Sequence, residues 1–312
     1  ILLLDNQKII TYKKLILATG SNANMINSLD KEVCYLRTID DSIRLRSLLN
    51  SSNEIGIIGA GYIGLEIAAI SIKKGLKVKI IESTKRVLSR VVSKEVSSFF
   101  QNKHESKGVK FTFNASALEV SKHNGCQQII LNDNTIIETD IVAVGIGVRP
   151  NTKIAEEAGL NCNNGIIVDE NCITSDRDIL AIGDCTYHPN KIFKTNFRLE
   201  SVQNAVDQAL AASKYLIGNP SPYNEVPWFW SDQYDISLQI AGVTDNYDDF
   251  ILRGSIEKER FSICFMKEGK LIGVESINSP KDFLASKKII KAGIQVEKKL
   301  LKESYFNLKN LL

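Results

Sequence analysis

Cysteine and histidine are scarce in this 312-residue chain, and their placement excludes several chemistries. The six cysteines, Cys34, Cys126, Cys162, Cys172, Cys185 and Cys264, never approach closer than ten positions. With no CxxC, a zinc ribbon, a four-cysteine iron–sulfur site and a thioredoxin-type dithiol all lack their ligands. The three histidines, His104, His123 and His188, are too scattered to suggest a metal site and are expected at the surface. No run of about 18 apolar residues occurs, so no transmembrane helix and no membrane partner is expected. The opening ILLLDNQKII has neither the basic start nor the cleavage site of an export signal, and there is no initiator Met. The chain therefore reads as cytoplasmic, with reduced thiols. A balance of 39 basic against 36 acidic residues leaves a net charge of +3, which marks no nucleic-acid binder.

What the sequence does have is apolar content (44%) and moderate charge (24%), enough for a sizeable core over about two domains. Residues 1–4 and 8–11 read as a hairpin and 15–18 as a buried strand. Residues 40–49 read as a helix capped by Asp40. A strand–helix–strand unit follows at 55–58, 62–74 and 76–81, then a helix at 93–107. Four short runs at 109–113, 118–121, 128–131 and 136–138 read as antiparallel strands, and 140–144 as a buried one. The second half offers strands at 165–169 and 179–182, a helix at 200–217 and a Gly/Pro/Ser/Asn linker at 218–224. Beyond it, four β-like runs and a helix at 280–291 read as a small α+β domain.

Gly59, Gly61 and Gly64 form a GxGxxG that ends one strand and opens a helix, with Glu82 at the tip of the next strand. That context is what a dinucleotide fingerprint requires. Gly59 allows the turn, Gly61 admits the pyrophosphate and Gly64 lets helix meet strand, while the helix N-terminus offers N–H groups to phosphate. Glu82 is placed to hold the adenosine ribose, which favours NAD over NADP. Gly183-Asp184, just after a strand, can hold a polyol hydroxyl or can be a simple turn. The helix that begins near Val202 presents its N-terminal amides to an anionic edge.

LILATGS at 15–21, GAGYIGLE at 59–66, VAVGIGVRPN at 142–151, ILAIGDC at 179–185, RLESVQNAVDQA at 198–209 and PWFWSDQY at 227–234 occur in that order. Together they resemble the FAD-dependent pyridine-nucleotide oxidoreductases, in the branch of ferredoxin reductases that serve Rieske dioxygenases and cytochromes P450. The resemblance implies an α/β fold of two Rossmann-like dinucleotide-binding domains, the FAD one incomplete, plus a small α+β C-terminal domain. It implies an FAD-binding part at 1–30 and 150–222, an NAD-binding domain at 31–149 and a reductase domain at 223–312. The family pattern begins roughly a hundred residues earlier, so the chain reads as truncated, expected to bind NADH but without stoichiometric FAD or turnover on its own.

Carried over residue by residue, the resemblance assigns Thr19, Gly20, Gly183, Asp184 and Val202 to FAD. Gly59, Gly61, Ile63, Gly64, Glu66, Glu82, Gly145 and Ile146 fall to NADH, with Glu66 at the nicotinamide carboxamide. Trp230 is implied beside the flavin, and no residue is assigned a certain catalytic role. Asn22 and Asn24 stand where the family usually carries an arginine that touches FAD. The implied activity passes electrons from NADH through FAD to a [2Fe–2S] ferredoxin or a rubredoxin. Alternatives are an NADH oxidase, peroxidase or nitrite-reductase component, and an NADH-sensing flavoprotein resembling apoptosis-inducing factor.

Overall fold

The computed structural model describes residues 1–26 and 33–312. They form two compact units, Ile1–Asn22 with Arg149–Phe229, and Ala23–Val148 with Trp230–Leu312. The boundary expected between residues 30 and 31 lies outside the described residues.

The larger unit is built on a five-stranded parallel sheet. Its strand order is Cys34–Tyr35, Ile141–Val144, Glu54–Ile58, Lys77–Glu82 and Lys110–Phe113. Ile55, Ile57 and Ile80 are fully buried, as strands covered on both faces require. The stretch expected at 109–113 as antiparallel is instead the parallel edge strand. The helix Lys94–Ser106 precedes it and returns the chain to the same end of the sheet, so the strand runs parallel. The next three strands, Ala117–His123, Cys126–Leu131 and Ile136–Thr139, do form an antiparallel meander. The first helix, Ile39–Asn50, is capped not by Asp40 but by Thr38, which closes a capping box with Asp41.

Through the strand Trp228–Gln233 the chain enters a five-stranded antiparallel sheet. The other strands, in spatial order, are Ile236–Gly242, Lys270–Ile277, Arg260–Lys267 and Asp249–Ser255. The helix Pro280–Ala292 packs against it. This sheet and the parallel one share a single apolar cluster in which Phe99 meets Phe261 edge-on, with ring centroids 5.3 Å apart. The buried guanidinium of Arg253 donates to Asp282 and to the carbonyls of Leu301, Glu303, Ser304 and Phe306, fastening the C-terminal segment.

The smaller unit has less regular structure. A hairpin joins Leu2–Leu3 to Ile9–Ile10, and Leu15–Leu17 pairs in parallel with Ile179–Ala181. A four-stranded sheet runs Cys162–Asn163, Gly165–Ile167, Thr186–Asn190 and Thr195–Phe197. The helix Val202–Leu216 packs on the turn Gly183–Cys185. Two of the three histidines depart from their expected surface placement. His104 and His188 are buried, and burial pushes each ring down to a pKa of about 4, so both are neutral. Only His123 is exposed.

Candidate functional site

The glycine turn of the larger unit is shaped by close backbone approach. A Cβ on Gly59, whose φ is +101°, would stand 2.5 Å from the carbonyl oxygen of Gly145. A Cβ on Gly64 would stand 2.0 Å from the carbonyl oxygen of Gly59. Both positions are therefore closed to any side chain. Gly61 differs. Its nearest neighbour to a built Cβ is the Gly145 carbonyl oxygen at 3.9 Å, so its bare face is open.

Gly61 also caps the helix Tyr62–Lys73 without a side-chain acceptor, which leaves first-turn N–H groups as donors for an anion. Gly145 and Ile146 pack directly behind the turn, a built Gly145 Cβ lying 3.3 Å from the Gly64 nitrogen. Ile63 is exposed beside them. The fingerprint residues and Gly145-Ile146 thus meet at one place.

Glu82 ends the second strand as expected, but its carboxylate already serves the turn. Oε2 accepts from the Ala60 N–H at 2.8 Å, and Oε1 accepts from the Thr84 N–H at 2.8 Å and the Thr84 hydroxyl at 2.7 Å. A carboxylate has about four acceptor positions, so one, on Oε2, stays available to a ribose hydroxyl. The residue braces the backbone and can still bind a ligand.

Glu66 lies one helical turn into Tyr62–Lys73, half-buried. Ser231 Oγ donates to its Oε1 at 2.5 Å. Burial raises its pKa, the Ser231 hydroxyl opposes the rise, and the negative charge of Asp232 adds to it. Trp230, the neighbour of Ser231, is 38% exposed.

In the smaller unit, Thr19 and Gly20 are tied to Asn151. The Thr19 hydroxyl donates to the Asn151 carbonyl at 2.7 Å, the Asn151 amide donates back to the Thr19 carbonyl at 2.8 Å, and the Asn151 N–H donates to the Gly20 carbonyl at 2.9 Å. Ser21 Oγ then donates to Asp184 Oδ2 at 2.9 Å, which joins this segment to the Gly183-Asp184 turn. Gly183, at φ +81°, donates its N–H to Gln208 Oε1 at 2.6 Å. Val202 is exposed at the start of the helix that carries Gln208, and Ser201 caps that helix. Beside the turn, Gln208 Nε2 and Asn204 Oδ1 are buried without a partner.

Four residues in these places were not singled out from sequence: Ser21, Gln208, Ser231 and Glu275. Glu275 is fully buried and accepts from the Ser93 N–H at 2.9 Å and the Ser93 hydroxyl at 2.5 Å, at the N-terminus of Lys94–Ser106. Burial pushes its pKa up to about 7. Ser21, Gln208 and Ser231 lie within LILATGS, RLESVQNAVDQA and PWFWSDQY, whereas Glu275 carries no sequence signal. Among the described residues no group of acidic, histidine or cysteine side chains could hold a metal, and no helix is long and apolar enough to cross a membrane.

Residues 2–209 match the pyridine nucleotide-disulphide oxidoreductase family, and residues 228–312 match the reductase C-terminal family. The rhodocoxin reductase of Rhodococcus erythropolis is 40% identical over 305 residues, covering 96% of this chain and 71% of that protein. The 5,5'-dehydrodivanillate O-demethylase ferredoxin reductase subunit of Sphingobium is 38% identical, covering 96% and 74%. A solved ferredoxin reductase from Rhodopseudomonas palustris superposes with a TM-score of 0.95 at 40% identity, over 99% of this chain and 77% of that one. A covalent putidaredoxin reductase–putidaredoxin complex gives 0.94 at 33% identity, over 99% and 76%. With the glycine turn, the second nucleotide-type unit and the antiparallel C-terminal sheet in place, the chain belongs to the pyridine nucleotide-disulphide oxidoreductase family.

Proposed function

We propose that this protein oxidises NADH and passes the electrons, by way of FAD, to a small iron–sulfur protein of the ferredoxin or rubredoxin class. The observation that carries the reading is the C-terminal antiparallel sheet that begins at Trp228–Gln233, which matches the reductase C-terminal family. Relatives that align over 86–99% of this chain are named for rhodocoxin, putidaredoxin and rubredoxin. The thiols agree. All six cysteines are free, and Cys34, Cys172, Cys185 and Cys264 are buried, the first three within apolar clusters that suit packing rather than dithiol exchange.

The open face of Gly61 and the uncapped helix start fit a dinucleotide pyrophosphate, and Glu82 fits the adenosine ribose. Glu66, oriented by Ser231, is suited to accept an N–H of the nicotinamide carboxamide. Asp184, held by Ser21, and the helix start at Val202 offer an acceptor and a row of amide donors to a flavin nucleotide. The orphaned Gln208 and Asn204 atoms beside them are polar groups that a bound nucleotide or water would satisfy. FAD, when bound, supplies the step from two-electron to one-electron transfer. The residues bind and orient the cofactors, and no side chain is required as a general acid.

The test is steady-state NADH oxidation by the purified protein with FAD supplied, with and without an added iron–sulfur acceptor. NADH turnover, wherever it occurs, is expected to depend on the acceptor. Equal NADH oxidation with oxygen alone would instead support an oxidase.

A further inference from the structure

The hydrogen bonding around Glu66 does not end at Ser231. Gln233 Nε2 donates to Ser231 Oγ at 3.1 Å, Gln233 Oε1 meets His104 Nε2 at 2.8 Å, and His104 Nδ1 meets the Tyr234 hydroxyl at 2.9 Å. Ser231, Gln233 and His104 are each no more than 1% exposed.

The polarity of every link follows from chemistry. Ser231 gives its proton to a carboxylate, so it receives one from Gln233, and that fixes the amide orientation. Gln233 Oε1 can only accept, so His104 carries its proton on Nε2. The neutral ring has a single N–H, and Nδ1 must therefore accept from Tyr234. All four donors point the same way, from Tyr234 to Glu66, and aligned buried hydrogen bonds polarise one another. An amide in the middle makes this a chain that orients rather than one that conducts protons. Tyr234 sits at φ +58°, in the left-handed region that a bulky residue rarely adopts, and its bond to His104 gives a reason for a tyrosine there.

We propose that His104 and Gln233 are positioning residues for the nicotinamide end of the dinucleotide site. Acting through Ser231, they engage one oxygen of Glu66 and hold the other ready to accept a carboxamide N–H. The proposal rests on the reading of Glu66 given above. A Glu66 left without this donor would turn, or take up a proton and present an O–H to the amide it should receive.

The experiment is calorimetric titration with NADH and, separately, with ADP-ribose, which keeps the adenosine and pyrophosphate but lacks nicotinamide. Gln233→Leu and His104→Phe should each weaken NADH about tenfold, through a loosened Ser231 bond to the Glu66 carboxylate, and leave ADP-ribose within about twofold. Tyr234→Phe, which removes one hydroxyl and keeps the ring, should act in the same direction by about threefold. In a Glu66→Gln background the same changes should have no further effect on NADH. Equal losses for both ligands, or unchanged NADH affinity in Gln233→Leu and Tyr234→Phe, would overturn the proposal. If Glu66→Gln alone leaves NADH affinity unchanged, the reading of Glu66 itself has failed. If it weakens NADH while Gln233→Leu does not, only the positioning role has failed.

Discussion

The two nucleotide-type units solve the same problem with different means. In the larger one the turn is made by neighbours in sequence: Gly59, Gly61 and Gly64 lie within six residues, and Glu82 braces them by accepting the Ala60 N–H. Beneath it stand five parallel strands and one apolar cluster that extends into the antiparallel sheet. In the smaller unit, the Gly183-Asp184 turn is held by side chains distant in sequence, Ser21 on one side and Gln208 on the other. Its core is divided between two short clusters, one centred on Leu17, Ile166, Val168 and Ile179 and the other on Cys172, Leu180, Ala211 and Tyr223. A site made by local backbone geometry on a large core tolerates little at its glycines. A site made by single side-chain bonds should lose its contributions one at a time.

That contrast explains what could be read from the sequence. The strand, glycine turn, helix and acidic strand end lie within about 30 residues, the span of a βαβ unit, so periodicity and turn chemistry were enough to place them. The strand Thr186–Asn190 was not legible. Its sequence TYHPN has no apolar alternation and includes Pro189, and its pairing with Gly165–Ile167 and Thr195–Phe197 is a tertiary fact. The buried histidines escaped for a related reason. His104 lies on an amphipathic helix where a polar residue reads as surface, and only the arrival of Gln233 and Tyr234, about 130 positions later, makes burial affordable for it. Ser231, Gln208 and Glu275 are likewise given meaning by partners that no local pattern announces.

The largest effect is expected at Gly64. A valine there drives its side chain into the Gly59 carbonyl, and the helix cannot retreat without opening the sheet. Gly64→Val should cost about 3 kcal/mol or more of stability and abolish NADH binding. A thermal melt and an NADH titration check it, and a well-folded variant that still binds would refute the locally built turn.

Next is the pH dependence carried by Glu275. Its folded pKa, about 7, lies above its usual value of 4.5, so between these values the folded protein binds more protons than the unfolded one. Its contribution is therefore most favourable below about 4.5 and is lost as pH rises to about 7, on the order of 3 kcal/mol in all. His104 and His188 act in the opposite direction, since their depressed values make stability rise between about 4 and 6.5. The difference in unfolding free energy between wild type and Glu275→Gln, measured from pH 4.5 to 8, isolates the carboxyl. A difference that does not change with pH would mean that Glu275 is ionised throughout.

Gly61→Val separates binding from folding. With φ at −79° and open space around its face, the new side chain fits the ligand-free turn but occupies the place of the pyrophosphate. A melting temperature within a few degrees of wild type and an NADH affinity lowered by about 100-fold or more, roughly 2.7 kcal/mol, are expected. Retained affinity would move the nucleotide site elsewhere.

The smallest effect belongs to the other unit. Ser21→Ala removes a single hydroxyl donor from Asp184 and leaves the carboxylate half-exposed, where water can replace it. The cost should be about 1 kcal/mol of stability, the net worth of one such bond, with NADH affinity unchanged. Because Asp184 then loses the Ser21 bond that orients its Oδ2, titration with FAD should show about a threefold weaker association than wild type under the same conditions. The comparison with Glu82 sharpens the point. Glu82→Gln keeps one acceptor oxygen for Ala60 or Thr84 but not both, so it should loosen the glycine turn and weaken NADH more than Ser21→Ala weakens FAD. If Ser21→Ala instead proves as damaging to stability as the glycine substitutions, the smaller unit is not assembled from separable side-chain bonds, and its turn must be as rigidly determined as the one around Gly61.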